Sequence, residues 1–210
     1  MAYGNLQRTD GGSRPGTVSV GGAAATMLGL LALLWVLEVV DLLTGHWLDS
    51  FGILARDLDG LPGIISAPFL HFGFEHLINN SLPFFVLGFF ILLGGVYRWV
   101  VSSLVSIVTS GLAAWALTPS NTMVLGASGL IFGWFSYLVV RGFLTRNVRQ
   151  IVIGVLVLIV YGGMVSGIFP TSAGVSWQAH LGGAVGGVLA ALLLHRRESR
   201  TTPASGNRRY

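Results

Sequence analysis

The run AATMLGLLALLWVLEVVDLLT, residues 24–44, decides the fold class. It carries two charges, Glu38 and Asp41, both toward its C-terminal end. An α-helix rises 1.5 Å per residue, so about 20 apolar residues cross the ~30 Å of bilayer hydrocarbon. Five further apolar runs follow, at 76–96, 99–118, 127–141, 150–168 and 178–195, the fourth of them short. Composition agrees: 53% of the 210 residues are hydrophobic and only 10% charged, where a soluble domain carries about 25% charge. A water-soluble globule and chain-wide disorder are both excluded. The pattern predicts an all-α polytopic membrane protein, a bundle of six transmembrane helices over 22–195. Residues 1–21 and 196–210 lack apolar periodicity and read as flexible tails. The first apolar run is too long for the h-region of a signal peptide and has no small-residue cleavage site after it. The chain contains no cysteine, which removes disulfides, thiolate nucleophiles and thiolate metal sites together.

All twelve cationic side chains are arginines, and their placement predicts the topology. With both termini in the cytoplasm, eleven lie on the inner side and only Arg56 lies outside, in keeping with the positive-inside rule. The net charge of +4 is thus a topology signal, and a nucleic-acid partner is not expected. The expected location is a bacterial plasma membrane, since arginine without lysine suggests a GC-rich bacterial genome. Residues 45–70 form a long outer loop holding Trp47, Phe51, Ile53, Leu54, Ile64, Ile65 and Phe69. A solvated linker would be less apolar, so this loop is expected to pack on the outer leaflet or dip into it.

Polar groups inside a span cost several kcal/mol unless they face protein or water, which marks them as functional candidates. Gly126-Ala127-Ser128-Gly129 opens span 4. Gly129 and Gly133 could be a close-packing surface, or Ser128 could be a nucleophile at a helix N-terminus, where unpaired N–H groups favour negative charge. Ala179-His180-Leu181-Gly182-Gly183 opens span 6, with Gly187 beyond it. His180 reads either as a structural hydrogen-bonding group or as the base for Ser128, and Gly183 and Gly187 as a groove for the glycine face of span 4. In HFGFEHLINN (71–80), His76 and Asn80 are four apart and share a helix face; stacked donors there could hold an oxyanion. A metal at His71 and His76 is disfavoured by their spacing of five and the absence of H-E-x-x-H. His71 is expected to make a structural hydrogen bond, and Glu38 and Asp41 to find partners in the outer loop. Counting from the inner arginines at 1.5 Å per residue, Ser128, His180 and Asn80 stand roughly 20, 24 and 27 Å up. All three fall in the outer third of a ~30 Å core.

These three motifs, in this order and at these depths, resemble the rhomboid family of intramembrane serine proteases, over residues 24–195. The resemblance implies Ser128 as nucleophile and His180 as its base, a dyad without a carboxylate. It further implies an oxyanion hole from His76, Asn80 and the Ser128 N–H, and matches Phe132 to an aromatic packed on the catalytic histidine. Gly126, Gly129, Gly183 and Gly187 would support the site. The implied substrates are transmembrane segments of other proteins, cut near the outer leaflet within the lipid bilayer, with no cofactor and no metal. The family often shows Trp-Arg in the first outer loop, whereas here Trp47 and Arg56 stand apart. A catalytically silent relative that binds membrane clients is the alternative; a transporter is disfavoured by the lack of an inverted hydropathy repeat or midplane charge pair.

Overall fold

The computed structural model describes residues 18–170 and 174–201; of the expected tails, 1–17 and 202–210 lie outside the described residues. Six helices are long and apolar enough to cross a membrane: α1 (Val20–Leu43), α3 (Phe74–Leu93), α4 (Val96–Leu117), α5 (Ser128–Thr145), α6 (Val148–Tyr161) with its 3-10 continuation Gly162–Ile168, and α7 (Trp177–Thr201). A one-turn helix α2 (Gly63–Ser66) and a two-residue antiparallel pair, β1 (Ile53–Leu54) with β2 (Met123–Val124), complete the fold. The chain is a six-span helical bundle, close to the expected boundaries.

Helix ends follow local chemistry. Ser19 caps α1 by accepting from the Gly22 N–H at 3.0 Å, so the helix begins within the expected tail at 1–21. α7 likewise runs past residue 195 to Thr201; arginine is a good helix former, and Arg197 donates to the Tyr97 hydroxyl of α4 while lying over its ring. Between α3 and α4 the turn needs only Gly94 and Gly95, the latter at φ 120°. A side chain at that φ would be strained.

α5 lies at the centre. Residues 129–138 are buried without a break, enclosed by α3, α4, α6 and α7. A helix hydrophobic all round and buried all round belongs in a bundle core. Its closest neighbour is α7. A Cβ on Gly183 would overlap the Gly129 carbonyl, and one on Gly187 would overlap the Gly133 carbonyl, so the two backbones touch. Small residues allow such approach where lipid supplies no hydrophobic drive between helices. α4 contributes a row of buried serines: Ser110 Oγ donates to the Ala179 carbonyl at 2.9 Å, and Ser103 Oγ accepts from Trp134 Nε1 at 3.0 Å. α1 leans on α3 through Trp35 Nε1, which donates to Ser81 Oγ at 3.2 Å.

The segment 44–73 folds onto one end of the bundle. β1 pairs with β2 in the register Ile53–Val124 and Leu54–Met123, and the Trp115 indole N–H donates to the Asp57 carbonyl at 2.7 Å. Trp47, Phe51, Leu58 and Ile65 remain exposed. Asp41 finds its partners in this segment, accepting from His46 Nδ1 and the Leu48 N–H at 2.8 Å each. Glu38 is bonded just past the expected loop at 45–70, to the Gly73 N–H that precedes α3, because the α1 face that bears it packs on that helix.

Filling the α5–α7 contact should damage the fold. Gly183→Val is expected to lower stability by about 2 kcal/mol or more, read as a reduced thermal unfolding midpoint of the purified protein in detergent. Gly29→Ala, where an added Cβ meets nothing within 4 Å, should leave the midpoint unchanged or slightly higher.

Candidate active site

Ser128 is the first residue of α5, and Gly126, at φ 127°, makes the turn that delivers the chain to it. The four leading N–H groups of a helix have no intrahelical acceptor, so the Ser128 amide is free to bind a negative oxygen. The Gly126 position also needs a bare Cα, since a Cβ there would run into the His76 ring. The Gly126 N–H is tied to the Ala67 carbonyl at 2.8 Å.

His180 stands in the first turn of α7, 7% exposed. Its Nε2 lies 2.8 Å from Ser128 Oγ, and its Nδ1 lies 2.9 Å from the Gly167 carbonyl oxygen. A carbonyl can only accept. Nδ1 therefore carries the proton, and Nε2 is left to accept from the serine hydroxyl. Phe132 stacks on the imidazole with ring centroids 4.1 Å apart and planes within 10°, holding its orientation from the other side. Gly167 was not among the expected site residues. The signal for it was the run GGMVSG (162–167), which interrupts an otherwise apolar span and is where α6 tightens into a 3-10 helix.

His76 and Asn80 share the face of α3 that looks toward Ser128, and both line the same cavity as Ser128 and His180. Asn80 is 7% exposed, and its amide nitrogen is buried without a protein acceptor. An orphaned buried donor costs roughly 1–3 kcal/mol, so Asn80 holds an unmet hydrogen-bonding capacity at the wall of the cavity that Ser128 also lines. The cavity measures about 1150 Å³ and mixes apolar walls with these polar groups. Of the glycines expected to support the site, Gly129, next to Ser128, meets Gly183, three residues after His180, backbone to backbone.

His71, 2% exposed, accepts from the Ala127 N–H at 3.4 Å through Nε2 and packs edge-on against His76, with ring centroids 5.1 Å apart. It thus braces the start of α5. Burial, with His76 beside it, pulls its pKa from the ordinary 6.5 down to about 3, so the ring is neutral at physiological pH. Among the described residues, the side chains that could together hold a metal are Asp41, His46 and Asp49. They lie at the end of α1, outside the cavity, and the His46 imidazole is already bonded to Asp41.

A membrane bundle with a serine–imidazole pair at the wall of a mixed polar and apolar cavity defines the class. The Rhomboid domain family matches residues 59–197, and the chain belongs to the rhomboid family. It is 43% identical to the "Uncharacterized protein Rv1337" of Mycobacterium tuberculosis, over 90% of this chain and 82% of that one. It is 42% identical to the "Uncharacterized protein ML1171" of Mycobacterium leprae, over 87% of this chain and 74% of that one. The protein is accordingly a multi-pass membrane protein, and a bacterial plasma membrane fits its relatives.

The bracing role of His71 has a pH signature. Its pKa is lower folded than unfolded, so the unfolded chain takes up the proton first. Its contribution is full above pH 6.5 and is lost as pH falls toward 3. His71→Gln, which keeps an acceptor but cannot ionise, should show a shallower fall in unfolding midpoint between pH 7 and pH 4 than the wild type.

Proposed function

We propose that the protein is an intramembrane serine endopeptidase that cuts transmembrane segments of other membrane proteins. The observation that carries this reading is the 2.8 Å approach of Ser128 Oγ to His180 Nε2 at the wall of a cavity large enough for a peptide segment. On this reading His180 removes the hydroxyl proton as Ser128 Oγ bonds to the peptide carbonyl carbon. The resulting oxyanion is held by the Ser128 N–H, the Asn80 amide and His76. His180 then returns the proton to the departing amine. Water, activated by the same imidazole, hydrolyses the acyl-enzyme and regenerates the serine.

The Gly167 carbonyl takes the place of the carboxylate of a Ser-His-Asp triad. It sets the tautomer and accepts from the imidazolium Nδ1–H, but as a neutral acceptor it stabilises that charge less than a carboxylate would. The backbone of a membrane helix is satisfied internally, so the substrate must unwind at the scissile bond. Segments carrying glycine, proline or small polar residues there are the suitable substrates. The arginines at the far end of the bundle support a cavity that opens on the non-cytoplasmic side.

Ser128→Ala and His180→Ala should each abolish cleavage of a single-span model substrate in proteoliposomes, and Ser128→Ala should also abolish labelling by a fluorophosphonate. Asn80→Ala should reduce kcat by about 10²–10³. A wild-type protein that is folded in membranes yet neither labels nor cleaves would mark a silent client-binding member of the family.

A further inference from the structure

The charge balance of the cavity is uneven. Among the described residues that line it, one carries a formal charge, Glu75. Glu75 is exposed into the opening and makes no ion pair among the described residues. Asn79 and Pro83 follow at intervals of four on the same helix, and both also line the cavity, so the three residues form one face. Pro83 lies inside α3. It has no N–H to give the Asn79 carbonyl, which in an unbroken helix would receive that bond. The wall therefore presents a carboxylate and, one turn on, the Asn79 side chain, beside a main-chain carbonyl that Pro83 cannot bond. Two of these three groups only accept hydrogen bonds.

We propose that this face of α3 is a subsite for a cationic side chain, and that the protein selects transmembrane segments bearing lysine or arginine within a few residues of the scissile bond. The proposal rests on the protease reading for what happens to the bound segment. Lysine and arginine donate hydrogen bonds and accept none, which matches a set of acceptors with no donor charge nearby. Charge across the whole end of the bundle acts in the same direction. Glu38, Asp41, Asp49, Asp57, Asp59 and Glu75 lie there, and Arg56 is the one arginine. The selection is narrow, because bacterial membrane proteins carry few lysines and arginines on their outer flanks. A carboxylate in the first turn also suits the helix dipole, but that role makes no demand on the substrate.

The test separates binding from cleavage. Labelled single-span peptides differing only in one outer-flank residue (Lys, Gln or Glu, placed in turn at each position around the bond) are titrated into Ser128→Ala protein in detergent. In parallel they are offered to the protein with Ser128 intact. The lysine peptide should bind roughly two- to fivefold tighter than its glutamine counterpart at one or two positions, and the glutamate peptide weakest. Glu75→Gln should flatten the series, and Glu75→Lys should reverse it in favour of glutamate, with both variants eluting as the parent does on size exclusion. Equal binding of all three peptides, or a lysine preference that survives Glu75→Gln, overturns the subsite. A lysine preference in binding without any cleavage supports the subsite and removes the protease reading instead.

Discussion

The structure depends on two helix backbones touching. Where α5 meets α7, Gly129 and Gly133 stand against Gly183 and Gly187 with no side chain between them. In a bilayer, association of helices comes from packing and hydrogen bonds rather than from exclusion of water. Contact of this kind is therefore both the adhesive and the ruler. It places the first residue of one helix beside the first turn of the other, and Ser128 Oγ comes within 2.8 Å of His180 Nε2 as a result. One added methyl group at Gly183 or Gly187 would overlap a main-chain carbonyl of α5 and force the two helices apart.

From that contact the rest of the site is built by elements that meet at one end of the bundle. α3 supplies His76 and Asn80, and Glu38 of α1 holds the turn before them through the Gly73 N–H. His71 reaches the Ala127 amide, while β1 holds the segment leading to Gly126 by pairing with β2. The long segment 44–73 is in this sense structural scaffolding for the start of α5, and its apolar content is partly spent there: Ile53 and Ile64 are buried. Trp47, Phe51, Leu58 and Ile65 are not, and they form the part suited to a leaflet.

Much of this was legible in the sequence because a bilayer leaves so few options. A run such as 24–44 has little freedom to be anything but a spanning helix, and six such runs are the six helices observed. The glycine spacing in spans 4 and 6 was readable for a similar reason: only glycine lets backbones meet. What stayed hidden were bonds made by main-chain atoms. The acceptor for His180 Nδ1 is a carbonyl, and any residue type has one. The partner of Glu38 is a main-chain N–H, so no residue in the outer loop could advertise it. The serine row of α4 was overlooked because serines among apolar residues are common, and their role depends on which helix faces them. The expected tails overlapped the observed helices by two residues at one end and six at the other, since helix caps and arginine-rich turns carry little apolar signal.

Reliance on Gly167 has a practical corollary for mutagenesis. Alanine scanning reads what a side chain contributes, and here the group that orients the imidazole belongs to the polypeptide itself. Truncation cannot remove it. Adding a methyl group at that position would instead press on Phe132 and His180, so any loss would be scored as crowding and the orienting oxygen would escape notice. Only chemistry that edits the main chain, such as an ester in place of an amide, addresses it directly.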